Sequence, residues 1–154
     1  MVETTLSGAS HHILTNDYAS EWMGIEVLKL DDGHATIRMH LRQEMLNGFG
    51  MAHGGMIFAF GDTAFALACN PANPTPKQAA NITVASGVDI NFIKPAFQGQ
   101  VITAVANRRA STGRSGLYDI QIYAAAPDAD SAPDAGHGEL IAEFRGRSRT
   151  ISKK

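Results

Sequence analysis

Apolar side chains crowd one stretch of this chain and alternate with polar ones through most of the rest. From Met56 to Cys69 the apolar run is broken only by Gly61, Asp62 and Thr63. Its length, and the prolines at 71, 74 and 76 behind it, predict one long helix over 54–70. Met56, Ile57, Phe58, Phe60, Phe65 and Leu67 make that helix apolar nearly all round, where a surface helix would show a polar stripe. A sheet wrapped around it, with a partner subunit, accounts for the pattern. Before it, Asn16 or Asp17 can cap a short helix over 17–23 that Gly24 ends. Alternation predicts strands over 25–30 and 35–41 around the turn Asp31-Asp32-Gly33, then a loop over 43–52 punctuated by glycine. Further strands are expected over 80–93, 100–109, 116–125 and 139–151. There is no internal repeat. The order of short helix, two strands, long helix and four strands predicts an α+β fold, with a mostly antiparallel sheet buried against one helix.

Composition narrows the function more than the fold. At 154 residues, 44% apolar and 18% charged, the chain reads as one domain over 1–154. A net charge of −2 without a basic cluster excludes nucleic acid as an electrostatic partner. A single cysteine, Cys69, excludes an internal disulfide and fits a reducing cytoplasm. No leader pattern opens the chain, and no apolar run reaches the roughly 18–20 residues of a bilayer span. A cytoplasmic protein with no membrane partner is therefore expected. Residues 1–12 are polar and 127–138 are rich in Pro, Asp and Ala, so both stretches are expected to be mobile.

The chemistry concentrates where the long helix begins. His53-Gly54-Gly55 delivers a histidine to a helix N-terminus, where the first N–H groups lack intrahelical partners and the dipole is positive. Glycines let a ligand approach that backbone, so the turn suits developing negative charge such as the oxyanion of acyl transfer. The plainer reading is a tight turn with a loop histidine. Asp62, an acid between Phe60 and Phe65, is either held by a structural hydrogen bond, to backbone or Thr63, or is functional. It lies seven residues past Gly55, roughly 10 Å along the axis. That is too far for both to serve one small carbonyl. Two such helices packed antiparallel would bring Asp62 of one to Gly55 of the other, so a site shared between subunits is expected.

Other residues carry weaker signals. Asn47 either fixes its Asn-Gly turn or polarises a carbonyl. Thr63 and Ser86 are single hydroxyls that could position water, and Asn16 is most simply a helix cap. Cys69 reads as a core residue. Phe49, Phe58, Phe60, Phe65 and Phe92 are core by default, with one or two available to line an acyl pocket. Lys94, Arg108, Arg109, Arg114, Arg145 and Arg147 read as surface charges, a few of them available for phosphate. Walker-type, dinucleotide, HExxH and GxSxG signatures are all missing.

The segments MLNG (45–48), HGGMIFAFGDTAFALACN (53–70), DINFIKPA (89–96), LYDIQIY (117–123) and FRGRSRTI (144–151) together resemble hotdog-fold acyl-CoA thioesterases. The nearest likeness is to the phenylacetyl-CoA thioesterases of phenylacetate degradation, over about 16–151. The resemblance implies a five- or six-stranded antiparallel sheet around the central helix, a homodimer and commonly a homotetramer. It implies Asp62 as the carboxylate that attacks the thioester or activates water, and Gly55 N–H of the other subunit as the group that polarises the carbonyl. His53 and Asn47 would hold the loop near the thioester. Gly54, Asn16, Thr63, Ser86 and Phe49 would bind substrate, Asn16 by reaching an aromatic acyl ring. Phe49 and Met51 fall where such loops vary, and 126–138 resembles an insertion. No metal or separate cofactor is implied, since coenzyme A is part of the substrate. A phenylacetyl or ring-hydroxylated arylacetyl group is the expected acyl moiety. The competing readings are an acyl-CoA hydratase or dehydratase on the same fold, and a non-enzymatic acyl-CoA-binding domain.

Overall fold

A computed structural model describes residues 7–8, 10–127 and 137–153. Strands β1 (Ser7–Gly8), β2 (Glu26–Asp31), β3 (His34–His40), β4 (Asn81–Phe92), β5 (Val101–Thr112), β6 (Ser115–Ala125) and β7 (Glu139–Ser152) form one sheet. Their order is β1-β2-β3-β5-β6-β7-β4. The short β1 pairs in parallel with β2, and every other neighbouring pair is antiparallel. Helix α1 (Tyr18–Met23) precedes β2, α2 (Gly54–Cys69) follows β3, and the one-turn α3 (Pro76–Ala79) precedes β4. This is the α+β arrangement expected, a largely antiparallel sheet around one long helix. The segments expected to be mobile lie partly outside the described residues, at 1–6, 9 and 128–136.

The local reasons are legible. Asp17, not Asn16, caps α1, accepting from Ser20 N, and Gly24 ends it at φ +71°. The β2–β3 hairpin turns at Gly33, with φ +70°, and Arg108 grips Asp32 there with two hydrogen bonds of 3.2 and 3.0 Å. Thr75 and Gln78 form a reciprocal capping box around Pro76, which starts α3 rather than only stopping α2.

Helix α2 touches every strand from β2 to β7. Its sixteen residues run roughly 24 Å, while a strand as long as β7 spans about 45 Å. The long strands must bend to wrap the helix, and register shifts at Ala85/Gly87, Arg108/Ala110 and Ile122/Tyr123 supply the bends. Phe60, Phe65 and Phe144 are fully buried, each contributing roughly 1.5–3 kcal/mol by leaving water. Two glycines set the helix–sheet spacing. A Cβ on Gly61 would stand 3.0 Å from Phe144 and 3.1 Å from Ile122, and one on Gly146 would stand 2.7 Å from the Phe65 ring.

The sheet leaves one face of the helix open in the single chain. Gly55, Phe58 and Asp62 are exposed along one face. Their spacing of three and four residues makes a single stripe. The sheet closes on the opposite face only.

Candidate active site

The stripe begins at a tightly built loop. Asn47 Oδ1 accepts from Phe49 N at 2.9 Å and Met51 N at 3.2 Å, and Asn47 N donates to Met51 O at 2.7 Å. A bridge between Leu46 and Ala52 closes the turn. Ala52 N donates to Ala96 O and His53 N to Met45 O, both at 2.8 Å, which fixes where α2 starts. Asn47 therefore does hold its loop, and any action on a substrate carbonyl falls to its Nδ2. Phe49 stands at the loop tip, 86% exposed.

His53 is the N-cap residue of α2, extended at φ −61° and ψ 133°, and its exposed side chain makes no capping bond. The Gly54 and Gly55 N–H groups thus have no side-chain acceptor, while Met56 N already donates to His53 O at 3.0 Å. The two glycines differ. A Cβ on Gly54 would lie 3.3 Å from the Phe92 ring, whereas one on Gly55 would meet nothing within 4 Å. Gly54 also borders an apolar hollow of about 260 Å³ lined by Met51, Ile57, Phe92, Ile93 and Ile141.

Two turns further on, Asp62 opens onto a separate recess of about 210 Å³ between α1 and α2, with Leu14, Asp17, Ser20, Met23, Ala59 and Thr63 among its walls. The carboxylate reaches solvent in the single chain and is only partly buried. The protein around it still matters: partial burial, and then the Asp17 charge, raise its pKa above the ordinary carboxylate value. Asp62 accepts no hydrogen bond among the described residues. The structural bond with Thr63 is absent because Thr63 Oγ1 pairs with Ser20 Oγ at 3.0 Å. Ser20 Oγ gives its proton to Asp17 Oδ2 at 2.7 Å, and Ser20 N donates to Asp17 Oδ1 at 3.1 Å. With the Ser20 proton committed, Thr63 is the donor to Ser20.

The remaining candidates scatter. Asn16 is exposed at φ +64° and accepts weakly from Tyr18 Oη at 3.4 Å, one residue before the true cap. Ser86 sits in the β4 bulge and donates to Arg147 O at 3.1 Å, beside a different hollow. Cys69 is half-buried with its thiol pushed up to about 12, chiefly by burial. Arg145 holds Asp119 at 2.7 and 3.1 Å, Arg147 holds Asp89 at 3.0 Å, and Arg109 reaches Asp119 at 3.4 Å, so these charges have partners. No cluster of three metal-ligating side chains occurs among the described residues. No helix among them is long and apolar enough to cross a membrane.

The sequence reading missed Asp17 and Ser20 as neighbours of Asp62. A cap signal marks Asp17 as the start of a helix, but only the docking of α1 on α2 points its carboxylate at the recess. What the face offers is a helix N-terminus suited to an oxyanion and a carboxylate suited to base or nucleophilic work. The two are roughly 10 Å apart along the axis.

Comparison with known proteins places these features in context. Residues 49–129 match the family described as Thioesterase superfamily. The acyl-coenzyme A thioesterase PaaI of Escherichia coli is 34% identical over 142 residues, which cover 92% of this chain and 89% of that one. The structure of the E. coli PaaI protein, from the phenylacetic acid degradation operon, superposes with a TM-score of 0.76 at 33% identity, covering 93% of this chain and 91% of that one. A variant of the phenylacetic acid degradation protein PaaI from Thermus thermophilus gives 0.70 at 28% identity, with 86% and 98% covered.

Proposed function

The chain belongs to the thioesterase superfamily and is a thioester hydrolase, and from that premise we propose that it cleaves acyl-CoA thioesters, arylacetyl-CoA among them, in a site completed by two subunits. The observation that carries the shared site is the stripe on α2, with a bare helix N-terminus at Gly55 and a carboxylate at Asp62 too far apart for one carbonyl. An antiparallel partner helix would set Asp62 of one subunit beside Gly55 of the other, twice over. Strand β4 supports such a partner: it is a twelve-residue sheet edge that leaves Ile82, Val84 and Phe92 exposed. The arylacetyl group rests on the similarity to the two PaaI proteins.

The chemistry needs little machinery, because a thioester is already activated. Asp62 takes a proton from water, the hydroxide adds to the carbonyl carbon, and the oxyanion receives the Gly55 N–H of the partner subunit. Collapse expels the CoA thiolate, which is reprotonated, and leaves the carboxylic acid. In the nucleophilic version Asp62 itself adds to the carbonyl, the CoA thiolate leaves and is protonated, and water cleaves the resulting mixed anhydride to the free acid and Asp62. Asn47 and His53 hold the loop against the thioester in either route. Gly54 flanks the oxyanion half of the site and Thr63 the Asp62 half, Phe49 stands at the loop tip, Asn16 and Ser86 enter only from a partner subunit, and the homodimer pairs further into a tetramer.

The test is a panel of acyl-CoA esters with the released thiol read colorimetrically. Arylacetyl-CoA is expected among the turned-over substrates. Asp62→Asn is expected to lower turnover by at least ~10² with the fold intact, the scale of a lost acid–base or nucleophilic group. Absence of thiol release from every ester, or near-normal turnover by Asp62→Asn, overturns the assignment.

A further inference from the structure

The recess beside Asp62 holds a second acid that the reaction does not use. Asp17 enters it from the N-terminus of α1, and a chain of hydrogen bonds fixes its position. Ser20 N and Ser20 Oγ both bond its carboxylate, and Ser20 Oγ is in turn bonded by Thr63, the residue next to Asp62 on α2. Ser20 is almost wholly buried, which keeps the link out of water. The recess is otherwise apolar or hydroxylic, walled by residues such as Leu14, Met23 and Ala59, so its titratable groups are Asp17 and Asp62. The strands pack against the other face of α2 and bring no charged side chain into it. Cys69 is the other group that interacts electrostatically with Asp62, and burial keeps that thiol protonated.

We propose that Asp17 is a positioning residue for the reaction: its carboxylate, tied to α2 through Ser20 and Thr63, holds a negative charge against Asp62 and sets the pH at which Asp62 becomes active. The inference rests on the reading of Asp62 as the reacting carboxylate. A fixed like charge disfavours ionisation of Asp62 and so makes the ionised form a stronger base. This suits a general base better than a nucleophile that must leave again. Activity carried by ionised Asp62 is present above its pKa and lost as pH falls through it. Removing the Asp17 charge lowers that pKa and carries the acid limb to lower pH.

Asp17→Asn removes the charge and keeps the cap, because Asn caps a helix about as well as Asp and its one amide oxygen still accepts from Ser20 N, while Ser20 Oγ turns to accept from the new Nδ2. The experiment measures kcat/KM against pH for the wild type, Asp17→Asn and Asp32→Asn. The last removes an equal charge at the β2–β3 turn, outside the recess. Asp17→Asn is expected to move the acid limb down by roughly half a unit or more, and Asp32→Asn to leave it in place. In parallel, the Asp62 carboxyl carbon is titrated by NMR in the wild type and Asp17→Asn, with the same downward shift expected. An unmoved Asp62 midpoint in Asp17→Asn overturns the proposal, and so does an equal shift in Asp32→Asn. If Asp17→Asn turns over too slowly for a profile, the carboxyl titration decides alone. A fully active Asp62→Asn would instead strike the reading of Asp62 itself, so the two failures are distinct.

Discussion

A methyl group on Gly54 would press on the Phe92 ring at 3.3 Å, while a methyl group on Gly55 would stand in open space. A side chain at the first would make the exposed Phe92 ring give by a few tenths of an ångström. Nothing inside the chain requires the second. Alanine is the better helix former, so Gly55→Ala is expected to raise stability by about 0.4–1 kcal/mol. The same methyl would obstruct the approach of a carbonyl oxygen to the helix N-terminus, so kcat/KM should fall at least about tenfold. Thermal unfolding and thiol release read the two effects separately. A variant that is more stable and fully active would remove Gly55 from the site. At this scale the sequence said much about Asp62, because an acid among phenylalanines has few bland explanations. It said less about Asn16 and Asp17, which are adjacent and both able to cap. Only the geometry of the turn at φ +64° makes Asp17 the cap and points it inward.

The far end of α2 is tied down as firmly as its near end is left bare. Asn70 Nδ2 donates to Ala66 O at 2.9 Å and to Thr83 O at 3.0 Å, while Thr83 N donates to Asn70 Oδ1 at 3.0 Å. His11, buried beside it, bonds Asn70 O through Nε2 at 2.8 Å and accepts Ile13 N on Nδ1 at 3.2 Å. One side chain thus joins the last turn of the helix to β4. Asn70→Ala would strand the Thr83 amide and the Thr83 carbonyl, at about 1–3 kcal/mol, while Ala66 O keeps the Asn70 N–H at 3.1 Å. Urea unfolding should show the loss as a lower midpoint with an unchanged slope, and a midpoint equal to the wild type would refute it. The sequence announced the stop through Pro71 and Pro74. It did not announce the stitch, because an Asn after an apolar helix looks like any other cap until its strand partner, thirteen residues on, is known.

On the scale of the whole molecule, one edge of the sheet remains to be covered. β4 pairs with β7 on one side, and at Thr83 its other side is taken by the Asn70 amide. The open edge begins beyond that point, where Val84 and Phe92 are exposed. Light scattering is expected to give the mass of two or four chains. Val84→Lys is expected to shift it toward one chain and to lower turnover in step. A single-chain species with full turnover would exclude a shared site. Strands β2 to β7 were readable from alternation, each to within about three residues. Their order was not: β4 lies beside β7, far away in sequence, and periodicity carries no record of such pairing. The parallel contact of Ser7–Gly8 with β2 was equally silent.

The proposed reaction liberates a free thiol beside a chain that carries one of its own. Burial pushes the Cys69 thiol up, so at neutral pH it stands as the protonated thiol. Thiolate is the form that exchanges with disulfides, so released coenzyme A, oxidised or not, finds no reactive sulfur there. A thiol reagent added to follow turnover is therefore expected to count coenzyme A ahead of protein.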